Sequence, residues 1–350
     1  MLSDYHIKIV THFFRIFFHN FLPISQTPSL CYTSRMKNFL CICFSSTLQK
    51  TVTFPGVKLE AVNRSEYYRI DASGKAVNAA RVLAQLEKDC VITFCPLGEN
   101  DYRLFERLAE QDNLNLIYSK IPGNTRECLT LLDKTAGTTT EIVISEPPLK
   151  RTKDFEATER AIVQVHLPTY MEEADAVMLA GSRPSFWSDD VYPTLAKAAI
   201  DSEKILLVDY HGKDLLNTLK ICTPSIIKIN EDEFSWTFGA PQDDKSAPQN
   251  NKSASPEQLL KAQITAKSLE LKNIIIVTRG SKSTFAANNG TFIECPTEKI
   301  TPVNTTACGD SFNAGFLYEY TNTANFEAAL KKGTWCAARN AELEIPGAIR

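Results

Sequence analysis

The sequence predicts an α/β protein: a doubly wound, mostly parallel sheet with helices on both faces, plus a small antiparallel β lid. Three observations predict it. Short, largely apolar runs recur at 39–44, 91–94, 176–180, 205–208, 225–229 and 274–278. Between most of them lie segments with helical spacing of apolar residues, at 76–86, 101–110, 191–201 and 256–271. Strands without alternation, divided by helices, belong to parallel sheet covered on both faces. Third, four short stretches at 51–54, 67–71, 129–133 and 139–144 alternate and are rich in Thr and aromatics, the pattern of half-exposed antiparallel strands. Ligands of doubly wound sheets bind beyond the carboxyl ends of the strands, so the residues just after the apolar runs are the first candidates for chemistry.

Taken in order, the chain opens on an oddity. Residues 9–24 are rich in Phe and Ile but are interrupted by His12, Arg15, His19 and Asn20. A bilayer span needs about 20 largely uncharged residues, so no membrane helix is expected. Arg15 also splits the apolar core a signal peptide would need. Met36 is followed at once by a good first strand, and the expectation is that residues 1–35 form an extension outside the fold. An amphipathic membrane-surface helix is the alternative. Later, 240–256 mixes Asp, Lys, Ser, Asn and Pro without apolar period and reads as a mobile surface insertion. No internal repeat is visible.

The chain has 350 residues, 43% of them hydrophobic and 23% charged, which suffices for one large or two small soluble cores. A net charge of −3 without any long basic run leaves no footprint for nucleic acid. The ten cysteines form no CxxC pair and no zinc-like cluster with His. Several sit inside apolar runs, where cysteine behaves as a small hydrophobe, so reduced thiols in a cytoplasmic protein are expected.

The stretch with most chemistry is 301–316, Thr-Pro-Val-Asn-Thr-Thr-Ala-Cys-Gly-Asp-Ser-Phe-Asn-Ala-Gly-Phe. Small and hydroxyl residues run up to Gly309-Asp310. Phe312, Phe316, Leu317 and Tyr320 then follow at helical spacing, so a helix starts near Asp310. Asp310 is a natural N-cap. A helix N-terminus also attracts phosphate, and a carboxylate placed beside that phosphate can take a proton from an attacking hydroxyl. The run closely resembles the second signature of the ribokinase/PfkB family of carbohydrate kinases, V-D-T-T-G-A-G-D-x-F-x-A-G-F. Val303, Thr305, Thr306, Gly309, Asp310, Phe312, Ala314, Gly315 and Phe316 match it. Asn304, Ala307 and Cys308 stand where the family usually has Asp, Gly and Ala. The resemblance implies that Asp310 is the catalytic base and that the amides of Ala307, Cys308 and Gly309 form an anion hole.

The resemblance extends over about residues 36–350. Residues 73–80 resemble the family's G-G-K-G-x-N-x-A, with Gly74, Lys75 and Asn78 matching and Ser73 and Ala76 replacing glycines. By itself Lys75 is an ordinary solvated lysine; by resemblance it faces a substrate phosphate. Thr125-Arg126 resembles a T-R-x-N whose arginine grips the acceptor's phosphate, and Cys128 replaces the Asn. Gly181-Ser182-Arg183-Pro184 stands for G-S-L-P near the sugar. Lys228-Ile-Asn230, followed by Glu233, matches K-P-N-x-x-E, which implies nucleotide contacts by Lys228 and Asn230 and a water-mediated Mg²⁺ contact by Glu233. Thr278 and Gly280 resemble a nucleotide loop whose second glycine is Ser283 here. Gln49 stands where hexose-phosphate kinases carry an Asp for sugar hydroxyls, and 209–212, Asp-Tyr-His-Gly, stands for D-T-S-G.

The implied activity is transfer of the γ-phosphoryl of ATP, with Mg²⁺, to a hydroxyl of a sugar phosphate, of the 1-phosphofructokinase or tagatose-6-phosphate kinase type. The implied lid covers about 49–72 and 125–146 and can pair with a second subunit as a homodimer. Two alternatives stand beside this one. One is a kinase of an unphosphorylated sugar or nucleoside. The other is a catalytically silent ligand sensor, motivated by the altered glycines at 73, 76, 283 and 307 and by Gln49.

Overall fold

The computed structural model describes residues 36–146, 149–239 and 255–350. The extension at 1–35 and nearly all of the insertion at 240–256 lie outside the described residues. The large sheet contains β1 (Phe39–Ile42), β4 (Val91–Gly98), β5 (Asn115–Ile121), β8 (Ala176–Ala180), β9 (Ile205–Asp209), β10 (Ile226–Asn230), β11 (Ile274–Thr278), β12 (Thr284–Asn288) and β13 (Thr291–Cys295). Their spatial order is β13-β12-β11-β10-β9-β8-β1-β4-β5. All neighbouring pairs from β11 to β5 are parallel, while β12 and β13 add an antiparallel edge.

The largely apolar runs become central strands because both of their faces are covered. One core joins Phe39 and Cys41 to α1 (Lys75–Leu86), α2 (Tyr102–Gln111), α9 (Cys308–Thr323) and α10 (Phe326–Ala341). The other joins Leu40 and Ile42 to α3 (Lys153–Ala161), α4 (Leu167–Glu173), α5 (Val191–Asp201), α6 (Gly212–Leu219), α7 (Glu231–Phe238) and α8 (Pro256–Leu271). Adjacent residues of β1 thus serve opposite cores, as the twofold period of a strand requires. A π-helical turn, Ile162–His166, links α3 to α4.

Strand order reverses around β1: the chain runs through β4 and β5 on one side and β8 to β11 on the other. In a doubly wound sheet that switch point opens a crevice at the strands' carboxyl ends. Ser45, Gly181, Asp209, Asn230 and Thr278 end or follow β1, β8, β9, β10 and β11, and all line one cavity there.

The lid is a four-stranded sheet of β3 (Tyr67–Ser73), β2 (Thr47–Phe54), β6 (Arg126–Asp133) and β7 (Thr138–Val143), in that order. The lid is antiparallel within each of its hairpins, as expected, and parallel where they meet. The outer pairs are antiparallel, but the central β2–β6 pair is parallel, from Thr47 beside Arg126 to Phe54 beside Asp133. The two hairpins leave the large sheet from different places, after β1 and after β5, and run out side by side in the same direction. Alternation reports half-burial and carries no information on strand direction.

Candidate active site

The cavity at the switch point has a volume of about 840 Å³ and lies between the large sheet and the lid. Its floor includes the start of α9. Ala307 precedes that helix in the left-handed region, at φ 65° and ψ 10°, which is the conformation a glycine would supply. The helix begins at Cys308, two residues earlier than expected, so Asp310 is its third residue and not its cap. Instead of capping, the buried Asp310 carboxylate accepts a hydrogen bond from Asn78 Nδ2 at 2.9 Å. Burial, and then the neighbouring Asp209 charge, push its pKa up to about 6, against the pull of Lys75, the Asn78 hydrogen bond and Lys228.

Asp209, which the sequence marks only as the first residue of Asp-Tyr-His-Gly, turns out to organise the floor of the site. It is fully buried at the end of β9, and its carboxylate receives Lys75 Nζ at 2.6 Å, Lys228 Nζ at 2.9 Å and Asn313 Nδ2 at 2.6 Å. Burial alone would raise its pKa, but the two ammonium groups overcome that and hold it well below the usual carboxylate range. The signal was available: a carboxylate directly after the apolar run 205–208 stands at a strand's carboxyl end. Asn313, one turn into α9, was missed.

Lys75, the first residue of α1, is therefore already engaged. Burial works against its charge, yet Asp209 and, at 3.6 Å, Glu233 hold its pKa above the ordinary lysine range. Lys228 packs against Gly309, where a Cβ would approach its Nζ to 2.8 Å; glycine there lets the ammonium reach the helix start. Gly74 has φ 129°, and a side chain on it would meet Cys43 Sγ at 2.6 Å and Ser45 O at 3.1 Å.

Asn230 and Glu233 form a capping box on α7. Asn230 Oδ1 accepts from the Glu233 amide at 2.8 Å, and Glu233 Oε2 accepts from the Asn230 amide at 2.9 Å. That leaves Glu233 Oε1 facing Lys75 and, at 3.8 Å, His211 Nε2. Among the described residues, no group of three or more His, Cys, Asp and Glu side chains is placed to hold a metal ion.

On the lid side, Arg126 donates to Thr47 Oγ1 at 2.7 Å and Ser45 O at 3.2 Å, and pairs with Glu146 at 3.1 Å. Gln49 is buried, and its amide nitrogen donates to Thr130 Oγ1 at 2.8 Å and more weakly to Cys128 O. Ser182 lies exposed on the cavity wall beside Arg183, whose guanidinium is held by Asp214, Asp189 and the Trp187 carbonyl. Thr278 lines the cavity; Gly280, two residues on with φ 62°, is not among its lining residues. The structure thus brings every other candidate from the sequence to one cavity.

Residues 40–344 match the model of the pfkB family carbohydrate kinases. The chain belongs to that family. As a carbohydrate kinase it is 29% identical over 294 residues to a tagatose-6-phosphate kinase of Staphylococcus epidermidis, covering 83% of this chain and 88% of the relative. Its fold is shared with phosphofructokinase-2 of Escherichia coli solved in complex with fructose-6-phosphate, at TM-score 0.72 and 17% identity over 88% of this chain and 94% of that one. A ribokinase of Thermotoga maritima aligns at TM-score 0.63 and 19% identity over 89% and 95%. Within this carbohydrate kinase no described helix is long and apolar enough to cross a membrane.

Proposed function

We propose that this kinase transfers the γ-phosphoryl group of ATP to a hydroxyl of a sugar phosphate, in the manner of a tagatose-6-phosphate kinase or a 1-phosphofructokinase. One observation carries the reading: Arg126 lines the lid side of the cavity that holds the buried Asp310, a cation additional to Lys75 and Lys228 on the floor. A neutral acceptor has no need of this additional cation, whereas a phosphorylated one presents charge at both ends of the reaction. The similarity to a tagatose-6-phosphate kinase along most of the chain supports it.

Asp310 takes the proton from the acceptor hydroxyl. A carboxylate with its pKa near 6 is ionised at neutral pH and still basic enough to do so. The first-turn amides of α9, set by left-handed Ala307, offer the positive end of the helix to the anionic transferring group. Lys75 and Lys228 supply positive charge at the same place, held by Asp209 until phosphate competes for them. Arg126 grips the phosphate the acceptor already carries, since a guanidinium fork suits it. Asn230 and Thr278 bound the nucleotide side. Glu233, with Oε1 outside the helix cap, would hold a nucleotide-borne Mg²⁺ through water, and the ion would supply charge neutralisation at the phosphate oxygens.

The exposed Tyr67, Tyr68, Ile142 and Val143 on the outer strands of the lid support its pairing with a second copy. The nine described cysteines are all free thiols, which supports a reducing, cytoplasmic setting. A coupled assay with ATP and a panel of sugars and sugar phosphates tests the function. Turnover of tagatose 6-phosphate or fructose 1-phosphate is expected; turnover of ribose or adenosine alone would overturn the choice of acceptor.

A further inference from the structure

We propose that Ser73 and Arg81 are positioning residues that lock the side-chain amide of Asn78 with its NH₂ edge toward Asp310. The two ends of an asparagine amide are nearly identical in shape and opposite in hydrogen-bonding character, so the neighbours decide which way it faces. Asn78 Oδ1 accepts from Ser73 Oγ at 3.0 Å and from Arg81 Nη1 at 3.2 Å, while Nδ2 donates to Asp310 Oδ2 at 2.9 Å. The reverse orientation would set a carbonyl oxygen against the carboxylate and an NH₂ against the guanidinium. Only one orientation satisfies all three neighbours.

The lock is itself anchored. Arg81 is buried on α1, donates through Nε to Asp112 Oδ2 at 2.8 Å and through Nη1 to Pro346 O at 2.8 Å, and also reaches Ala72 O. Its guanidinium therefore ties together the end of β3, α1, the end of α2 and the last residues of the chain. Ser73 occupies a place where the resembling signature carries glycine, so its hydroxyl is a donor that a glycine could not offer. The charged and titratable groups around Asp310 are Lys75 on α1, Asp209 on β9, Lys228 on β10 and the Cys308 thiol on its own helix; Glu233 faces Lys75. Among these, the Asn78 NH₂ is a directly hydrogen-bonded neutral donor to the ionised carboxylate, and it favours ionisation.

The consequence for turnover rests on Asp310 being the base, so two readouts are needed. The full chain, labelled with ¹³C at the Asp side-chain carboxyls, is titrated by NMR, with Asp310 assigned from the signal missing in Asp310→Asn. In parallel, kcat/KM is measured against pH. Ser73→Ala should raise the Asp310 midpoint by about half a unit, and Ser73→Ala with Arg81→Met by about one unit or more, because a donor to the charged form is lost. The rate at pH 6 should then fall about twofold in Ser73→Ala and about fivefold or more in the double variant, while the plateau at pH 8 stays within about twofold. An unmoved Asp310 midpoint in Ser73→Ala overturns the proposal, as does an equal rate loss at every pH. If the double variant does not fold, the single variant decides. A midpoint that moves while the rate profile does not supports the positioning role and removes Asp310 as the base.

Discussion

The floor of the cavity and its lid hold cations in different ways. On the floor, Lys75 and Lys228 share a fully buried carboxylate, Asp209, with Asn313 completing its shell and Asp310 alongside. Those partners come from α1, β9, β10 and α9, all rooted in the two main cores. In the lid, Arg126 leans on the hydroxyl of Thr47, the carbonyl of Ser45 and a partly exposed Glu146 at the end of a thin sheet. A set tied to one fully buried carboxylate, with Lys228 buried and Lys75 open to the cavity, is organised before any ligand arrives, which is the condition for stabilising charge that develops during reaction. A cation balanced by one accessible carboxylate can exchange that partner for a substrate phosphate. Changes to the floor should therefore appear in kcat, and changes to the lid in the KM of the acceptor.

The largest expected effect is Asp310→Asn. Loss of the proposed base should lower kcat by at least about a hundredfold. Stability should not suffer. Asp310 has a folded pKa near 6, above its ordinary value of 3.8, so its ionisation costs stability as pH rises through that window and the cost persists above it. With asparagine the floor keeps two lysines against Asp209 and Glu233, a balanced set. Thermal melts at pH 8 should give a Tm at or above that of the parent. A variant that retains more than a tenth of the rate, or that melts well below the parent, breaks the account of the floor.

The same titration predicts the pH profile of the parent. kcat/KM should fall roughly tenfold per pH unit below about 6 as Asp310 is protonated. Asp209, held low by its two lysines, stays ionised throughout and adds no step in this range. A flat profile from pH 5 to pH 8 would exclude Asp310 as the titrating base.

On the lid, Arg126→Ala should raise the acceptor's KM by about tenfold to a hundredfold, with little change in the KM for ATP, because one charge-assisted contact is lost. Arg126→Lys separates charge from shape: it keeps the cation but not the fork that also spans Thr47 and Ser45. If kcat collapses in Arg126→Ala while acceptor KM is unmoved, the division between floor and lid is wrong.

What could be read from the sequence follows the same division. The central strands were legible because burial on both faces leaves largely apolar runs, and the site lies at their ends as the switch-point rule requires. The edge strands β12 and β13 were not, since Thr284–Asn288 and Thr291–Cys295 mix small, polar and aromatic residues at a sheet margin. The parallel pairing of β2 with β6 joins segments about eighty residues apart, and no local pattern encodes it. Individual site residues such as Asp310, Lys75 and Arg126 were visible as chemistry placed before helices or at strand ends. Their partners were not: that Lys75 spends its charge on Asp209, 134 residues away, is a fact of tertiary folding alone. Gln49 likewise appeared as a sugar contact, whereas its donors are committed to Thr130 and Cys128 within the lid.

The smallest expected effect concerns Ala307, where the floor departs from the glycine expected before the helix. The residue sits at φ 65°, a region that costs an L-residue with a Cβ about 1–2 kcal/mol. Glycine would remove that cost but would also widen the unfolded ensemble, at about 0.4–1 kcal/mol. The difference favours Ala307→Gly by about 0–1.6 kcal/mol. For a chain of this size that is a rise in Tm of at most about two degrees. Because alanine already holds the left-handed geometry, the amides of 308–310 point the same way in either protein, and kcat should stay within about twofold. A rise in kcat of tenfold or more would mean that alanine distorts the helix start and that the floor is less organised than its hydrogen bonds imply. A fall in Tm would mean that the Ala307 methyl contributes packing that outweighs its backbone strain.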